Sequence, residues 1–365
     1  MIVNTKHRTN LLNIARKLKY AWYSVPTNEN SEPTETYLEY LSLMYNPEIA
    51  ELVQALDLFP NTLSLIKFAK KVNMEKIELM EKLDDVTQNG FVVKFGRQYA
   101  LPFPLFVHDG PFLIAKTYKS KDASKFAELG TKFFYEEEYY KKWQNTKDGT
   151  PRNRILTVSE KIEPGQEIIP AEEVYSIIDQ HNDFAVVPCP CRNRAEIAGI
   201  RKCKDKYPIH NCLLLGPYAK ASLEFGDPII KAITKEEAKE LVKEASELGL
   251  VHNTDNKAKN CTIICSCCEC CCGHLTGMIK YGNPRAIGKA NYIAHVDKNL
   301  CVGCGTCIDR CKFNAIVVND IADINTGKCM GCGLCAVTCP NDAITMKRFE
   351  REEVPLDREE IEIVD

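Results

Sequence analysis

All nineteen cysteines of this 365-residue chain fall between Cys189 and Cys339, and none occurs before that point. The chain therefore has two chemically different halves, and whatever the second half folds into must find a use for its thiols. Disulfides would consume them only in an oxidising compartment. The stretch from Met1 to Tyr20 holds five basic residues and no apolar run leading to a small-residue cleavage site, so no secretory leader is read there. In a reducing cytoplasm, the compartment expected here, cysteine this dense serves metal, and the odd count agrees with that.

Charge narrows the partners. The 47 basic and 50 acidic side chains leave a net −3, with a pI near 6.2. That removes the broad electrostatic case for nucleic acid or an anionic membrane surface. Mean hydropathy is −0.26 and no run approaches 18 apolar residues, so no membrane span is expected. With 45% hydrophobic residues the chain can bury a core, and its length fits two or three domains.

Apolar residues recur at helical spacing from Leu11 to Leu18 and from Thr36 to Leu58, with Asn46, Pro47 and Glu48 as N-cap, first helical position and first-turn acid. A helix over Thr62 to Val72, a break at Asn73, a second helix from Met74 to Thr87, and two β-like runs (Phe91 to Phe95, Gln98 to Leu101) joined at Gly96-Arg97 follow. Helix, turn, helix and hairpin in this order resemble a winged-helix domain over about forty residues. The resemblance implies either a partner-docking module or DNA binding through the second helix. Charge opposes DNA. Glu75, Glu78, Glu81, Asp84 and Asp85 outnumber Lys76 and Lys82 on that helix, and phosphates would repel it.

Further along, Phe133, Phe134, Tyr135, Tyr139, Tyr140 and Trp143 read as a packed amphipathic helix over Lys132 to Trp143. Ile155 to Val158 reads as a strand and Pro170 to Gln180 as a helix. Phe184 to Val187 reads as a buried strand leading into the first cysteines, an α/β element that presents a metal loop. Thr234 and Glu237 form a capping box for a helix that Gly249 ends.

Cys301, Cys304, Cys307 and Cys311 are spaced C-x2-C-x2-C-x3-C, and Cys329, Cys332, Cys335 and Cys339 repeat that spacing, closed by Pro340. The pair resembles the bacterial-type ferredoxin with two 4Fe-4S clusters, from Ile293 to Met346, and all-cysteine zinc sites lack this pattern. In that family the fourth cysteine of each run crosses to the other cluster. The resemblance implies one cluster on Cys301, Cys304, Cys307 and Cys339, and a second on Cys329, Cys332, Cys335 and Cys311. Gly303, Gly305, Gly331 and Gly333 would let backbone amides approach the sulfur atoms.

Eleven cysteines remain. Cys189 and Cys191 sit in Pro-Cys-Pro-Cys-Arg, followed by Cys203 and Cys212, a complete ligand set for a third iron-sulfur cluster or for structural zinc. Arg192, Arg194, Arg201 and Lys202 would offset the charge of thiolates there, or form an anion or partner patch. Then come Cys261, Cys265, Cys267, Cys268, Cys270, Cys271 and Cys272, more than one cubane uses. Adjacent side chains do not sit comfortably on one cluster, so some of these face different partners, stay free or complete the site begun at Cys189. The metal candidates are Cys189, Cys191, Cys203, Cys212, Cys265, Cys267, Cys268, Cys270, Cys271 and Cys272. Cys271-Cys272-Gly273 is similar to the paired-cysteine-glycine motif of heterodisulfide reductases, without that motif's flanking spacings. His252 and His274 are candidate ligands or packing residues.

Taken whole, the order of segments resembles large ferredoxin-type proteins of anaerobic microorganisms. The fold expected is multidomain α+β: a helical and winged-helix-like part over 1–105, a Cys-rich α/β part over 106–290, a two-cluster ferredoxin-like module over 291–346 and an acidic tail over 347–365. The function expected is single-electron transfer through two C-terminal 4Fe-4S clusters, with one or more further clusters upstream, to or from an oxidoreductase partner. A reductase centred on Cys261 to Cys272 is the alternative. No G-x-G-x-x-G or Walker loop is present, so such an enzyme would need a separate electron donor. A redox-responsive regulator acting through the N-terminal module is the third reading. No catalytic residue can be assigned from sequence.

Overall fold

The computed structural model describes residues 4–19, 24–146, 148–166 and 168–351, and the acidic tail expected over 347–365 lies outside these from residue 352 on. Among the described residues the chain forms two compact units, one of 4–146 with 193–200 and one of 148–192 with 201–351. The boundary expected near 105 falls inside the first unit, and the one near 290 inside the second.

The first unit opens with the helix Thr5–Lys19. The helical spacing over 36–58 resolves into two helices, Glu35–Met44 and Pro47–Val53. Asn46 divides them: its side chain accepts from the Ile49 N–H at 2.9 Å, and Pro47 holds the first helical position. Next come β1 (Leu63–Ser64), the helices Leu65–Val72 and Lys76–Gln88, β2 (Val93–Phe95) and β3 (Gln98–Ala100), with the antiparallel sheet ordered β1-β3-β2. Asn73, at φ 51°, ends the first of these helices in the left-handed region. Leu79, Leu83 and Val86 bury one face of the second, while Glu75, Glu78, Glu81, Asp84 and Asp85 are exposed.

The aromatic run is not one amphipathic helix. A π-turn at Lys132–Glu136 is followed by Glu138 at φ 54° and a short helix, Tyr140–Gln144. The break lets the adjacent Phe133 and Phe134 both bury, which a single straight stripe does not allow, and their rings meet Trp143 and Tyr139 edge-on around His108.

In the second unit β4 (Asn153–Ile155), β5 (Phe184–Pro188), β6 (His210–Leu215), β7 (Lys231–Ile233), β8 (Val251–Asp255) and β9 (Ile263–Cys267) form a sheet ordered β4-β8-β9-β6-β5-β7. Every pair in it runs antiparallel, so the α/β expectation for this part is corrected: the connections return the chain alongside itself and make no parallel crossover. The helix Lys235–Leu248 has its capping box and ends at Gly249, φ 91°. With Val174–Asp179 it covers one sheet face, where Ile177, Ile178, Leu213, Leu215, Val242 and Ile264 pack. The helix expected over 170–180 starts only at Val174 because Glu173 caps it, accepting from the Tyr175 and Ser176 N–H groups.

The C-terminal segment pairs β10 (Tyr292–Val296) with β13 (Ile344–Arg348), and β11 (Ile316–Val318) with β12 (Ala322–Ile324), around short helices at Thr306–Arg310 and Leu334–Val337. It is keyed into the rest of its unit. The Thr157 hydroxyl donates to the Gly331 carbonyl at 2.8 Å and the Val158 N–H to the Cys332 carbonyl at 3.2 Å. Beneath them the fully buried Arg154 and Glu172 pair at 2.7 Å, and Glu172 accepts from both the backbone and side-chain N–H of Asn291. No helix among the described residues is long and apolar enough to cross a membrane.

Candidate metal centres

Two cavities open in the C-terminal segment, of about 340 and 350 Å³ counting the solvent space at their mouths. One is lined by Cys301, Cys304, Cys307 and Cys339, the other by Cys311, Cys329, Cys332 and Cys335. Each collects three cysteines of one run and the last of the other. The local geometry follows from the glycines. A Cβ at Gly331 would stand 2.6 Å from the Tyr292 carbonyl oxygen, and one at Gly303 would collide with that of Asp320, so side chains there would force the loops off their neighbours. Backbone amides then turn onto sulfur. Ala315 N–H donates to Cys311 Sγ and Ala343 N–H to Cys339 Sγ, both at 3.3 Å, and Ala322 N–H to Cys301 Sγ at 3.4 Å. All-sulfur donors, amides aimed at them and an apolar wall (Val318, Ile344, Leu334, Met346) fit a thiolate-ligated iron-sulfur cluster.

The two cavities differ in exposure. Cys304 is exposed, its thiol held below the ordinary value by Thr306, whose hydroxyl is 3.4 Å away, and Val302 beside it is 68% exposed. In the other cavity desolvation pushes Cys332 up to about 12 and raises Cys335 well above the ordinary thiol value.

Upstream, the structure sorts the thiols into groups the sequence did not show. Cys203, Cys268, Cys270 and Cys271 hold their Sγ atoms within 4.8 Å of one another. A second group runs Cys191, Cys189, Cys212, Cys265, Cys267, Cys272, each thiol shifting the pKa of the next. The set Cys189, Cys191, Cys203 and Cys212 is thereby broken up, with Cys203 drawn away to the far loop. Strand geometry explains the second group. β5 delivers Cys189, whose N–H reaches the Ile209 carbonyl at 2.7 Å after a register shift at Pro188, while Cys191 lies in the first turn of the helix Pro190–Ile197. β6 and β9 pair so that Cys212 and Cys265 fall opposite, and Cys267 shares Cys265's face because strand residues alternate.

The adjacent pairs Cys267-Cys268 and Cys271-Cys272 each split between the two groups. The neighbouring thiols of Cys265 and Cys272, with Asn253 Nδ2 at 3.1 Å, bring the Cys267 thiol down to about 5. Cys268 is lowered by Cys270 and Cys271. Cys261 joins neither group; burial pushes it up to about 12, and its thiol faces the carbonyls of Asp255 and Lys257.

Arg192 is the buried cation of this region. It donates to the Ser266 carbonyl at 2.9 Å and to Asn211 Oδ1, and although burial opposes its charge, Cys189, Cys212, Cys268 and Cys267 raise its pKa on balance. Arg194, two positions along the same helix, does not offset thiolates. It reaches His108 Nε2 at 2.9 Å and lies over the Phe134 ring at 5.0 Å, because residues two apart on a helix point to different sides. Arg201 donates to the Tyr207 carbonyl.

Neither histidine is placed as a ligand. His252 uses both ring nitrogens on hydroxyls, Ser246 at 2.8 Å and Ser266 at 3.1 Å, and burial brings it down to about 4. His274 Nδ1 lies 3.3 Å from the Ala286 carbonyl. Sequence reasoning missed one buried polar constellation, His108 between Asp109 (2.8 Å) and Arg194, because its members are 86 positions apart and no spacing marks them.

A family model described as a 4Fe-4S dicluster domain matches residues 294–346. No curated protein and no solved structure matches the chain. The chain thus carries a ferredoxin-type C-terminal domain that binds iron-sulfur clusters, which supports an iron-sulfur electron-transfer role.

Proposed function

We propose that the protein passes single electrons through two 4Fe-4S clusters, one in each C-terminal cavity, and a third held by the six-thiol group, to or from an oxidoreductase partner. The observation that carries this reading is the sorting of eight cysteines around two cavities, three from one run and one from the other. Continuity supports the third centre. Cys267 and Cys272 share one apolar core with Cys307, Cys329 and Cys335, so no layer of bulk solvent separates the donor sets. Exchange with the partner takes place at the face around Cys304, where Leu300, Val302 and Ile308 are exposed. The partner is a protein, and the exposed acids of the helix Lys76–Gln88 fit a winged-helix-like docking module that binds no nucleic acid. Nineteen free thiols suit a reducing cytoplasm.

Iron and acid-labile sulfide counted after anaerobic purification test the reading, with EPR after dithionite reduction. About twelve irons per chain are expected. Cys304→Ala and Cys267→Ala should each remove about four, by losing different centres. About eight in the wild type would remove the third centre. A second reading, a reductase centred on the six-thiol group, is favoured by its two thiols beyond a cubane's four. It requires a centre that binds added thiol or disulfide with a change in its EPR signal.

A further inference from the structure

The distances within the four-thiol group set it apart from a cluster site. Cys203 Sγ lies 3.8 Å from both Cys268 Sγ and Cys271 Sγ, and Cys270 Sγ lies 3.7 Å from Cys268 Sγ and 3.6 Å from Cys271 Sγ. Four thiolates at about 2.3 Å from one zinc ion stand at the corners of a tetrahedron with edges of about 3.8 Å. A core of four irons and four sulfides inside the tetrahedron drives the thiolates apart to roughly 6 Å. The eight ferredoxin cysteines contain no such set: among the described residues no three of them lie within 4.8 Å of one another.

From this geometry we infer that Cys203, Cys268, Cys270 and Cys271 bind a single tetrahedral zinc ion, distinct from every iron-sulfur centre of the chain. Binding forms four Zn–S bonds and releases the thiol protons to solvent, with no change of oxidation state. The surroundings suit a dianionic site. Cys203, Cys268 and Cys271 are buried, and the buried Arg192 guanidinium supplies a compensating charge. One mononuclear iron would satisfy the same four sulfurs, but zinc binds thiolate sites of this kind more tightly than ferrous iron. The ion is a positioning element. It fastens the loop 268–271, which has no regular structure, to the segment around Cys203, and so fixes Cys267 and Cys272 on either side of that loop toward the six-thiol group.

The test uses the full chain purified anaerobically without added metal. Zinc and iron are counted per chain, and zinc K-edge absorption reports the ligands. One zinc per chain with four sulfurs at about 2.3 Å is expected. In Cys203→Ser zinc should fall to near zero while the dithionite-reduced EPR of the ferredoxin centres is unchanged. Cys270→Ser, at the half-buried corner, gives the same readout if loss of Cys203 prevents folding. Zinc retained at one per chain in both variants overturns the assignment. So does a wild type with full iron and only trace zinc, or a loss of about four irons in either variant that leaves its zinc at one per chain. Failure of the third iron-sulfur centre would appear separately, as a wild-type iron count of about eight with zinc still at one.

Discussion

The two halves of the ferredoxin segment have nearly the same sequence pattern and different surroundings. The cavity of Cys301, Cys304, Cys307 and Cys339 is lined by Val318 and Ala322, which flank the exposed turn Asn319-Asp320 behind Gly303, and opens beside an exposed Cys304. That of Cys311, Cys329, Cys332 and Cys335 backs onto β10 and onto Thr157 and Val158 of the neighbouring sheet region. Identical ligand spacing therefore yields one centre built to meet solvent and partners and another built to face inward. Symmetry of sequence sets the coordination, and asymmetry of packing sets the use.

The most damaging single change to that asymmetry should be Glu172→Gln. It strands the buried Arg154 beneath β10, and breaking a buried pair costs about 3–5 kcal/mol. The apparent melting temperature should fall, and the EPR signal of the inner centre should broaden before that of the outer one. Equal broadening of both would deny that β10 serves one half more than the other.

Gly331→Ala and Gly303→Ala make the comparison directly. Both introduce a Cβ against a backbone carbonyl, but Tyr292 belongs to a core strand and Asp320 to an exposed turn that can yield. Gly331→Ala should cost about 2–4 kcal/mol and deplete the inner centre, and Gly303→Ala about half as much. Iron counts and thermal unfolding of the two variants decide it, and indistinguishable losses would remove the asymmetry.

Exposure gives a kinetic version. Challenged with ferricyanide or a chelator, the outer centre should bleach roughly tenfold faster than the inner one, because reagent reaches the surroundings of Cys304 without local opening.

 
The Cys304 side of the module is where that loss should start, and equal rates would place both centres at the same depth. Smallest of all should be Thr157→Val, which removes one hydrogen bond to the Gly331 carbonyl and costs about 1 kcal/mol. Its potential shift should be confined to the inner centre, read by a redox titration followed by EPR.

How much of this was legible in the sequence follows from how local each constraint is. The ferredoxin segment was, because its C-x2-C-x2-C-x3-C runs carry the loop geometry within a dozen residues and Pro340 marks the close. Caps were legible for the same reason: Asn46, Thr234, Glu237 and Gly249 act on their own helix ends. The grouping of the upstream cysteines was not. Cys203 meets Cys268 and Cys271 across more than sixty positions, and Cys212 meets Cys265 only because β6 pairs with β9. The antiparallel course of the central sheet was hidden too, since strand runs separated by helices read as parallel crossovers until their pairing is known. Arg194 was misplaced for a simpler reason. Proximity in sequence to Cys191 suggested a shared site, whereas the helix turns its side chain toward His108.

The division of Cys267 from Cys268, and of Cys271 from Cys272, means that the loop between them is a measured length. Glu269 is partly exposed and pairs with Lys312 at 3.1 Å, so its replacement by Gln, which keeps an acceptor there, should be tolerated. Deleting it is another matter. Every sulfur after the gap would move back by one place, and thiols that now serve one centre would be offered to the other. In this loop, insertions and deletions should therefore be far more harmful than substitutions at the same position, and homologous chains should vary in letters there before they vary in count.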